Sequence, residues 1–508
     1  MASCITRLLG YIVVYTVTAL GLIQCIKTGL TSSQPALTKK DKKSLAAGNS
    51  PLNRYTHKLT AKLTEYPARQ RFWDLSKQPI PGFNHDFLKL RNGHQLHYIH
   101  NRHTITQLRN IIIFFHGFPD SSLMWRDLLS HRDRHQAIAR DDLIVCVDLP
   151  GYGGSDSFAK YDTGVLEALA EFCIAVRAHH CGNPAKVVLV AHDWGCNLAT
   201  RLATEAPCIA DQFVLINGLF TNLAIANFTR HVQSLPGLLS TLSLREFRKT
   251  CTVLLRQVWC LAYVFAFDLP EGMLGYILGT WNEMAVLRAL VGLANVRNSS
   301  FDFAEALAAT LGPGESESQT SISTNINMPG GPKSYGGSTR ARAKSPATAL
   351  WNMTGLYRNG VLRGQWSKSE ELLSSLWKIE SEKHKQKYSE KTQLHLQANF
   401  HHEDGTAQTK FEDDIQGPLL KAPTTVIWGQ KDHVMLPEIC LDGLHAFLAP
   451  RSEVIVLPRS AHWVPCDTEA NEVLLAVLKH HTTDNQDVQI DKKTLDDVYR
   501  GARLVSRT

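Results

Sequence analysis

The run Val187–Cys196 (VVLVAHDWGC) carries an aspartate into what reads as a sharp strand-to-helix turn. Val187, Val188, Leu189, Val190 and Ala191 predict a fully buried parallel strand. His192, Asp193, Trp194 and Gly195 then turn the chain into a helix expected to begin near Asn197. Ala191 and Gly195 are small enough for the backbone to double back on either side of Asp193. A carboxylate at that turn, at a helix N-terminus, is held ionised and can attack carbon directly. The competing reading is a helix N-cap, the commonest use of Asp at a strand–helix junction.

Three other apolar runs end in residues able to work with it, and in open parallel sheets reacting groups gather beyond the carboxyl ends of the strands. Asn110–His116 (NIIIFFH) leads into Gly117, Phe118 and Pro119. A turn there can aim the Phe118 N–H at the same point as the Trp194 N–H, forming an anion hole. His116, Gly117, Pro119 and Gly195 read as the structural frame of that hole. Asp432 lies just past Thr424–Gly429, and His462 just past Glu453–Pro458. The order Asp193, Asp432, His462 is that of nucleophile, orienting acid and histidine base. With 22 histidines in the chain, no single one is informative, so the joint placement carries the reading. No HExxH, paired CxxC, Walker loop or dinucleotide-binding glycine pattern appears, so neither metal nor cofactor is expected.

The elements that must position these residues follow from hydrophobic patterning. A 508-residue chain that is 44% hydrophobic and 20% charged can bury one large core and carry insertions. Phe87–His100 alternates around Asn92–Gly93, a strong hairpin signal. Asn110–His116, Leu143–Leu149, the Val187 run, Phe213–Gly218, Thr424–Gly429 and Glu453–Pro458 read as buried strands between helix-period segments. That alternation predicts an α/β fold, a mostly parallel, doubly wound sheet with helices on both faces. The core then spans residues 76–218 and 421–482. Residues 219–420, rich in Leu, Trp and Tyr at helical spacing, read as an inserted helical cap. Within it, 311–347 is dominated by Gly, Ser, Pro and Thr and is expected to be disordered. Residues 31–75 read as a polar stalk and 483–508 as a peripheral polar tail.

Residues 1–30 contain an apolar stretch from Leu8 to Ile26, near the length of a membrane span. A cleaved signal peptide is the alternative, because Ala19–Leu20–Gly21 offers small residues. Arg7 precedes the stretch, whereas Lys27, Lys39, Lys40, Lys42 and Lys43 follow it, which favours a single-pass anchor with a cytosolic body, on the endoplasmic reticulum. The odd count of 11 cysteines, several inside apolar patterns, agrees. Sequons at Asn227, Asn298 and Asn352 keep a lumenal or secreted alternative open. The net charge of +7 is scattered apart from Lys39–Lys43, so nucleic-acid binding has no support.

Three blocks, His116–Gly117–Phe118–Pro119, Asp148–Asp156 (DLPGYGGSD) and His192–Asp193–Trp194–Gly195, resemble the α/β-hydrolase superfamily and, within it, the epoxide hydrolases. The resemblance covers approximately residues 75–480. It implies an α/β-hydrolase fold and opening of a small lipophilic epoxide to a vicinal diol through an ester on Asp193, without a cofactor. Haloalkane dehalogenases typically carry Asn where this chain has Phe118, fluoroacetate dehalogenases carry Arg where it has Trp194, and esterases need serine at Asp193. The epoxide hydrolases also use two cap tyrosines to protonate the epoxide oxygen. Leu356–Tyr357–Arg358–Asn359 resembles the second tyrosine's surroundings. Tyr263 resembles the first, although Asp268 replaces a usual Gln and Tyr276 is a nearby rival. A dehalogenase using the same nucleophile and a membrane-tethered ligand-binding pseudoenzyme stand as the alternatives.

Overall fold

Runs of Ile, Val and Phe, polar-bounded and short, build a nine-stranded sheet. The computed structural model describes residues 67–102, 108–130, 141–180, 186–218, 220–267, 303–322, 333–397, 420–483 and 492–507. The expected anchor, the stalk up to residue 66, Tyr276 and residues 323–332 of the insertion lie outside the described residues. The strands are β1 (Asn84–Lys89), β2 (Gln95–His100), β3 (Asn110–Phe115), β4 (Leu143–Val147), β5 (Lys186–His192), β6 (Gln212–Ile216), β7 (Thr424–Gly429), β8 (Glu453–Leu457) and β9 (Arg503–Arg507). Their order in the sheet is β1-β2-β4-β3-β5-β6-β7-β8-β9. From β4 to β8 all neighbours run parallel, with β1, β2 and β9 antiparallel at the edges. The expected mostly parallel α/β sheet is therefore present. The hairpin β1–β2 turns at Gly93, whose φ of +86° suits glycine.

Strand period sorts the core into two layers. Ile111, Ile113 and Phe115 of β3, with Leu189 and Ala191 of β5, face one cluster. Ile112 and Phe114, with Val188 and Val190, face the other. Both faces of the central strands are thus dry, which is why these strands read as continuous apolar runs rather than alternating ones. Helices α1 (Gly164–His180) and α2 (Trp194–Glu205) cover the first face. Chain order reverses around β3, with β4 on one side and β5 on the other, and Asp193 emerges at the carboxyl end of β5 beside that switch point. Between β6 and β7 the chain makes two long helices, α3 (Thr221–Ser240) and α4 (Leu244–Phe267), in agreement with a largely helical insertion.

Several boundaries differ from the sequence expectation. The helix after the turn starts at Trp194, directly after Asp193, not near Asn197. Residues 67–75 are not stalk: Phe72 and Trp73 are buried among the Val and Ile side chains of the second face. The 483–508 tail is not peripheral either. A helix, Lys492–Val498, buries Leu495, and Tyr499 is buried beside it before β9 closes the sheet against β8.

The described parts of 311–347 are ordered against the core. Tyr335 is fully buried and donates its O–H to the Trp73 carbonyl at 2.8 Å. Arg342 is buried and donates to the Gly153 and Ser155 carbonyls at 3.0 and 2.7 Å. A few well-placed side chains order a segment whose average composition is too polar to do so. Nor is all of 219–420 cap. The helix Glu370–Gln397 lies on the core, where Lys383 pairs with Asp211 and nearby Trp366 donates its indole N–H to Glu167. Among the described residues no helix is long and apolar enough to cross a membrane.

Candidate active site

Asp193 sits at φ 51°, ψ −116°, a conformation that costs a non-glycine residue about 1–3 kcal/mol. Its side chain makes no capping bond to α2, so the N-cap reading fails. The carboxylate instead points back over the sheet, where the Phe118 N–H donates to Oδ1 at 2.8 Å. Two glycines permit this crossing. A Cβ on Gly195 would lie 2.5 Å from the His116 carbonyl oxygen, and one on Gly117 would lie 2.5 Å from the Asp193 Cβ. Pro119 follows Phe118 through a cis peptide bond.

The other carboxylate oxygen of Asp193, Oδ2, lies 3.4 Å from His462 Nε2. His462 Nδ1 is 2.8 Å from Asp432 Oδ2. Asp432 is itself held by the Val434 and Met435 N–H groups on Oδ1, at 2.7 and 3.0 Å, and by the Asn217 amide on Oδ2 at 2.6 Å. All three members of the set are buried. Burial opposes charge on His462, but Asp432 and Asp193 outweigh it and push the imidazole up to about 10. Burial likewise opposes ionisation of Asp193, yet His462 and the Phe118 N–H hold its carboxyl below the ordinary value. Asp432 is lowered in the same way, burial being overcome by His462. The resting arrangement is an imidazolium between two carboxylates.

Two further buried histidines near this set stay neutral. His116 Nε2 accepts the Leu149 N–H at 2.9 Å, so its Nδ1 carries the proton and donates to the Gly117 carbonyl at 2.8 Å. His192 places Nε2 2.9 Å from the His462 carbonyl oxygen, and burial and His462 push it down to about 4. Both brace the turns on which Gly117 and His462 stand.

Above the carboxylate, Trp194, Phe118, Phe267, Tyr263 and Tyr357 form an aromatic wall. The Tyr357 ring meets Trp194, Phe118 and Phe267 edge-on, with centroids 4.7, 5.4 and 5.3 Å apart, and Tyr263 at 6.0 Å. Burial, then Tyr263 and Asp193, hold the Tyr357 phenol well above its usual value, so it remains a proton donor. Tyr357 and Tyr263, expected from separate parts of the chain, are thus neighbours.

Three participants escaped the sequence reading. Asn217 directly follows β6 at φ 46° and bridges Asp432 to the Gly429 N–H, which it accepts at 3.0 Å. An asparagine leaving a buried strand into a positive-φ turn beside the Asp strand was the available signal. Asp120, immediately after Pro119, is buried and accepts the Trp463 indole N–H at 3.2 Å. Burial, with Asp193 adding to it, pushes Asp120 up to about 7. Phe267, which packs on both Phe118 and Tyr357, carried no signal beyond aromaticity.

The sequence profile of the alpha/beta hydrolase family matches residues 112–477. The chain is similar to epoxide hydrolase 3 of Mus musculus, 30% identical over 143 residues that cover 26% of this chain and 36% of that protein. It is also similar to epoxide hydrolase 2 of Caenorhabditis elegans, 27% identical over 143 residues, 27% of this chain and 36% of that protein. Both matches thus span about a third of the curated relatives' own length. Among solved structures, an epoxide hydrolase from Bacillus megaterium aligns with 77% of this chain and 98% of its own, at 19% identity and a TM-score of 0.44.

Proposed function

The chain belongs to the alpha/beta hydrolase family, and from that premise we propose that it hydrolyses epoxides to vicinal diols through an ester on Asp193. The observation that carries the proposal is the Asp193 carboxylate, free of its helix cap, held by the Phe118 N–H and His462 beneath the Tyr357–Tyr263 pair. Partial likeness to proteins named epoxide hydrolase supports it.

Asp193 Oδ2 attacks an epoxide carbon, the C–O bond breaks, and Tyr357 with Tyr263 donates to the departing oxygen. Oδ1 becomes the ester carbonyl and stays on the Phe118 N–H, joined by the Trp194 N–H as charge builds there. Forming the ester removes the Asp193 charge, one of the two that hold the proton on His462. The imidazolium then gives up its proton, which balances the new hydroxyl through the phenols. Neutral His462, oriented by Asp432, takes a proton from water, and the hydroxide attacks the ester carbonyl. Collapse releases the diol and restores the carboxylate and imidazolium. The substrate implied is apolar, since aromatic rings surround the carboxylate, and no cofactor enters any step. Attachment to a membrane through residues 8–26, with the body in the cytosol, belongs to the same proposal and rests on the lysines that follow that stretch.

Turnover of an accepted epoxide in heavy-oxygen water, with mass analysis of the peptide containing Asp193, tests the route. Label accumulating in Asp193 supports the ester. Label confined to the diol from the first turnover on means that water attacks the epoxide directly, and the proposal fails. A parallel panel of haloalkanes separates it from dehalogenation.

A further inference from the structure

Helices α3 and α4 form a hairpin that leaves the body of the protein. From residue 228 to residue 252 no side chain is fully buried. The outer part of α3, residues 229–240, alone projects about 18 Å. A hairpin of this kind in water should end in polar residues, since nothing repays exposed leucine. This one ends in Leu235–Leu244 (LPGLLSTLSL), with Leu239, Leu242 and Leu244 52%, 77% and 61% exposed. Leu242 also takes a left-handed backbone, φ 53°, a conformation that Gly or Asn adopts at lower cost. Solvation and backbone preference both argue against leucine at that position, and among the described residues nothing covers its apolar surface.

Charge says what that something is. Directly behind the leucines come Arg245, Arg248 and Lys249, with Glu246 the sole acid anywhere in 221–267. Protein interfaces are anchored by aromatic residues and arginine, with leucine under-represented among the residues that carry the binding energy and lysine depleted. A leucine tip followed by a collar of Arg and Lys is instead the pattern of a segment lying in a bilayer interface. Its apolar residues enter by about 5–10 Å, and its cations reach back to anionic headgroups. We infer that the exposed, cation-collared leucine tip of the α3–α4 hairpin inserts into the surface of an anionic lipid bilayer.

The root of the hairpin is fixed to the catalytic loops. Asn227 donates to the Ile439 and Asp442 carbonyls at 2.9 and 2.7 Å. Gln257 donates to the Val434 carbonyl at 3.1 Å and accepts the Leu436 N–H at 3.0 Å. Both side chains therefore grip the loop that begins at Asp432, while α4 runs on to Tyr263 and Phe267 at the site. A tip seated in lipid would hold the aromatic wall at a fixed height above the bilayer. This contact is separate from the Leu8–Ile26 stretch and independent of the hydrolase reading.

The test uses the full chain with a photoreactive diazirine amino acid at position 242 or, as control, at Val505, which is 61% exposed at the sheet edge. Each protein is irradiated on phosphatidylcholine vesicles with and without phosphatidylserine and then mass-analysed. The expected result is a lipid adduct at 242, several-fold richer with phosphatidylserine, and little at 505. Arg245→Gln/Arg248→Gln/Lys249→Gln should reduce the 242 adduct in phosphatidylserine vesicles to the phosphatidylcholine level, with circular dichroism unchanged. An adduct between two copies of the chain would make the tip a protein interface and overturn the inference. Equal lipid labelling at 242 and 505, no lipid adduct at 242, or indifference to phosphatidylserine would overturn it as well.

Discussion

Asp193→Asn should move the titration of His462 by several pH units, because it removes one charge while keeping the side chain's shape. The imidazole stands between two carboxylates, Asp432 at 2.8 Å and Asp193 at 3.4 Å, and is pushed up to about 10. Two unit charges at 3.4 Å attract by about 5 kcal/mol at an effective dielectric constant of about 20. At about 1.4 kcal/mol per pH unit, that is a shift of between about three and four units. The substitution should therefore bring His462 to about 6 or 7, leaving it ready to act as a base near neutrality. The amide introduced by Asp193→Asn is neutral, like the proposed ester, so the variant copies the electrostatics of the intermediate without substrate. The sign also governs stability. With a folded value above the unfolded one of about 6.5, the His462 ion pairs stabilise the wild type fully below about pH 6.5. That contribution is lost as pH rises through about 10, and in Asp193→Asn most of it is absent throughout. Histidine-selective nitrogen NMR across pH 5–11 reads the titration directly. A variant in which His462 titrates within one unit of the wild type would refute the argument, as would a wild type titrating near 6.5.

Four further outcomes are expected. His462→Gln should still form the ester, giving a burst of about one diol equivalent per enzyme on denaturing work-up and then very slow turnover; an unchanged steady-state rate would remove His462 from the mechanism. Tyr357→Phe should slow ester formation from an accepted epoxide by about 10²–10⁴-fold, with less loss if Tyr263 compensates, as read by pre-steady-state alkylation of Asp193. Asn217→Ala leaves the buried Gly429 N–H unpaired and takes a donor from Asp432, so urea denaturation should show a loss of about 1–3 kcal/mol. Leu495→Ala should cost about 2–5 kcal/mol if the tail helix is part of the core, and almost nothing if it is peripheral.

The parallel strands were legible because burial on both faces writes them as unbroken apolar runs, as in NIIIFF and LIVCV. Asp193, Asp432 and His462 could be singled out for the same reason, since each follows such a run. Segments ordered by single anchors were not. Tyr335 and Arg342 fix a stretch of low hydrophobicity by filling one slot each and meeting carbonyls that the core loops leave open. Composition averages over such residues, and a periodicity window has too few of them to register. The tail escaped similarly: Leu495 and Tyr499 are few, but β8 presents a free edge that β9 completes with backbone bonds any sequence can make. Asn217 and Asp120 were not singled out because their roles depend on partners more than 200 residues away, Asp432 and Trp463.

The histidines show what a sequence can and cannot assign. His116, His192 and His462 all follow buried strands or complete them, and all three are buried. Burial alone would leave each neutral, and His116 and His192 are indeed pushed down. His116 spends both ring nitrogens on backbone groups and His192 its Nε2, contacts that supply no net charge. His462 differs only in facing two carboxylates, delivered by β5 and by the loop after β7. Its charge is thus a property of the sheet's strand order, which brings the ends of β5, β6, β7 and β8 into one row. The same order makes the charge removable, because Asp193 is both a partner of the imidazolium and the atom donor of the proposed ester. A base that appears only once the ester exists would not activate water against the substrate before Asp193 has attacked, and that timing needs no moving part.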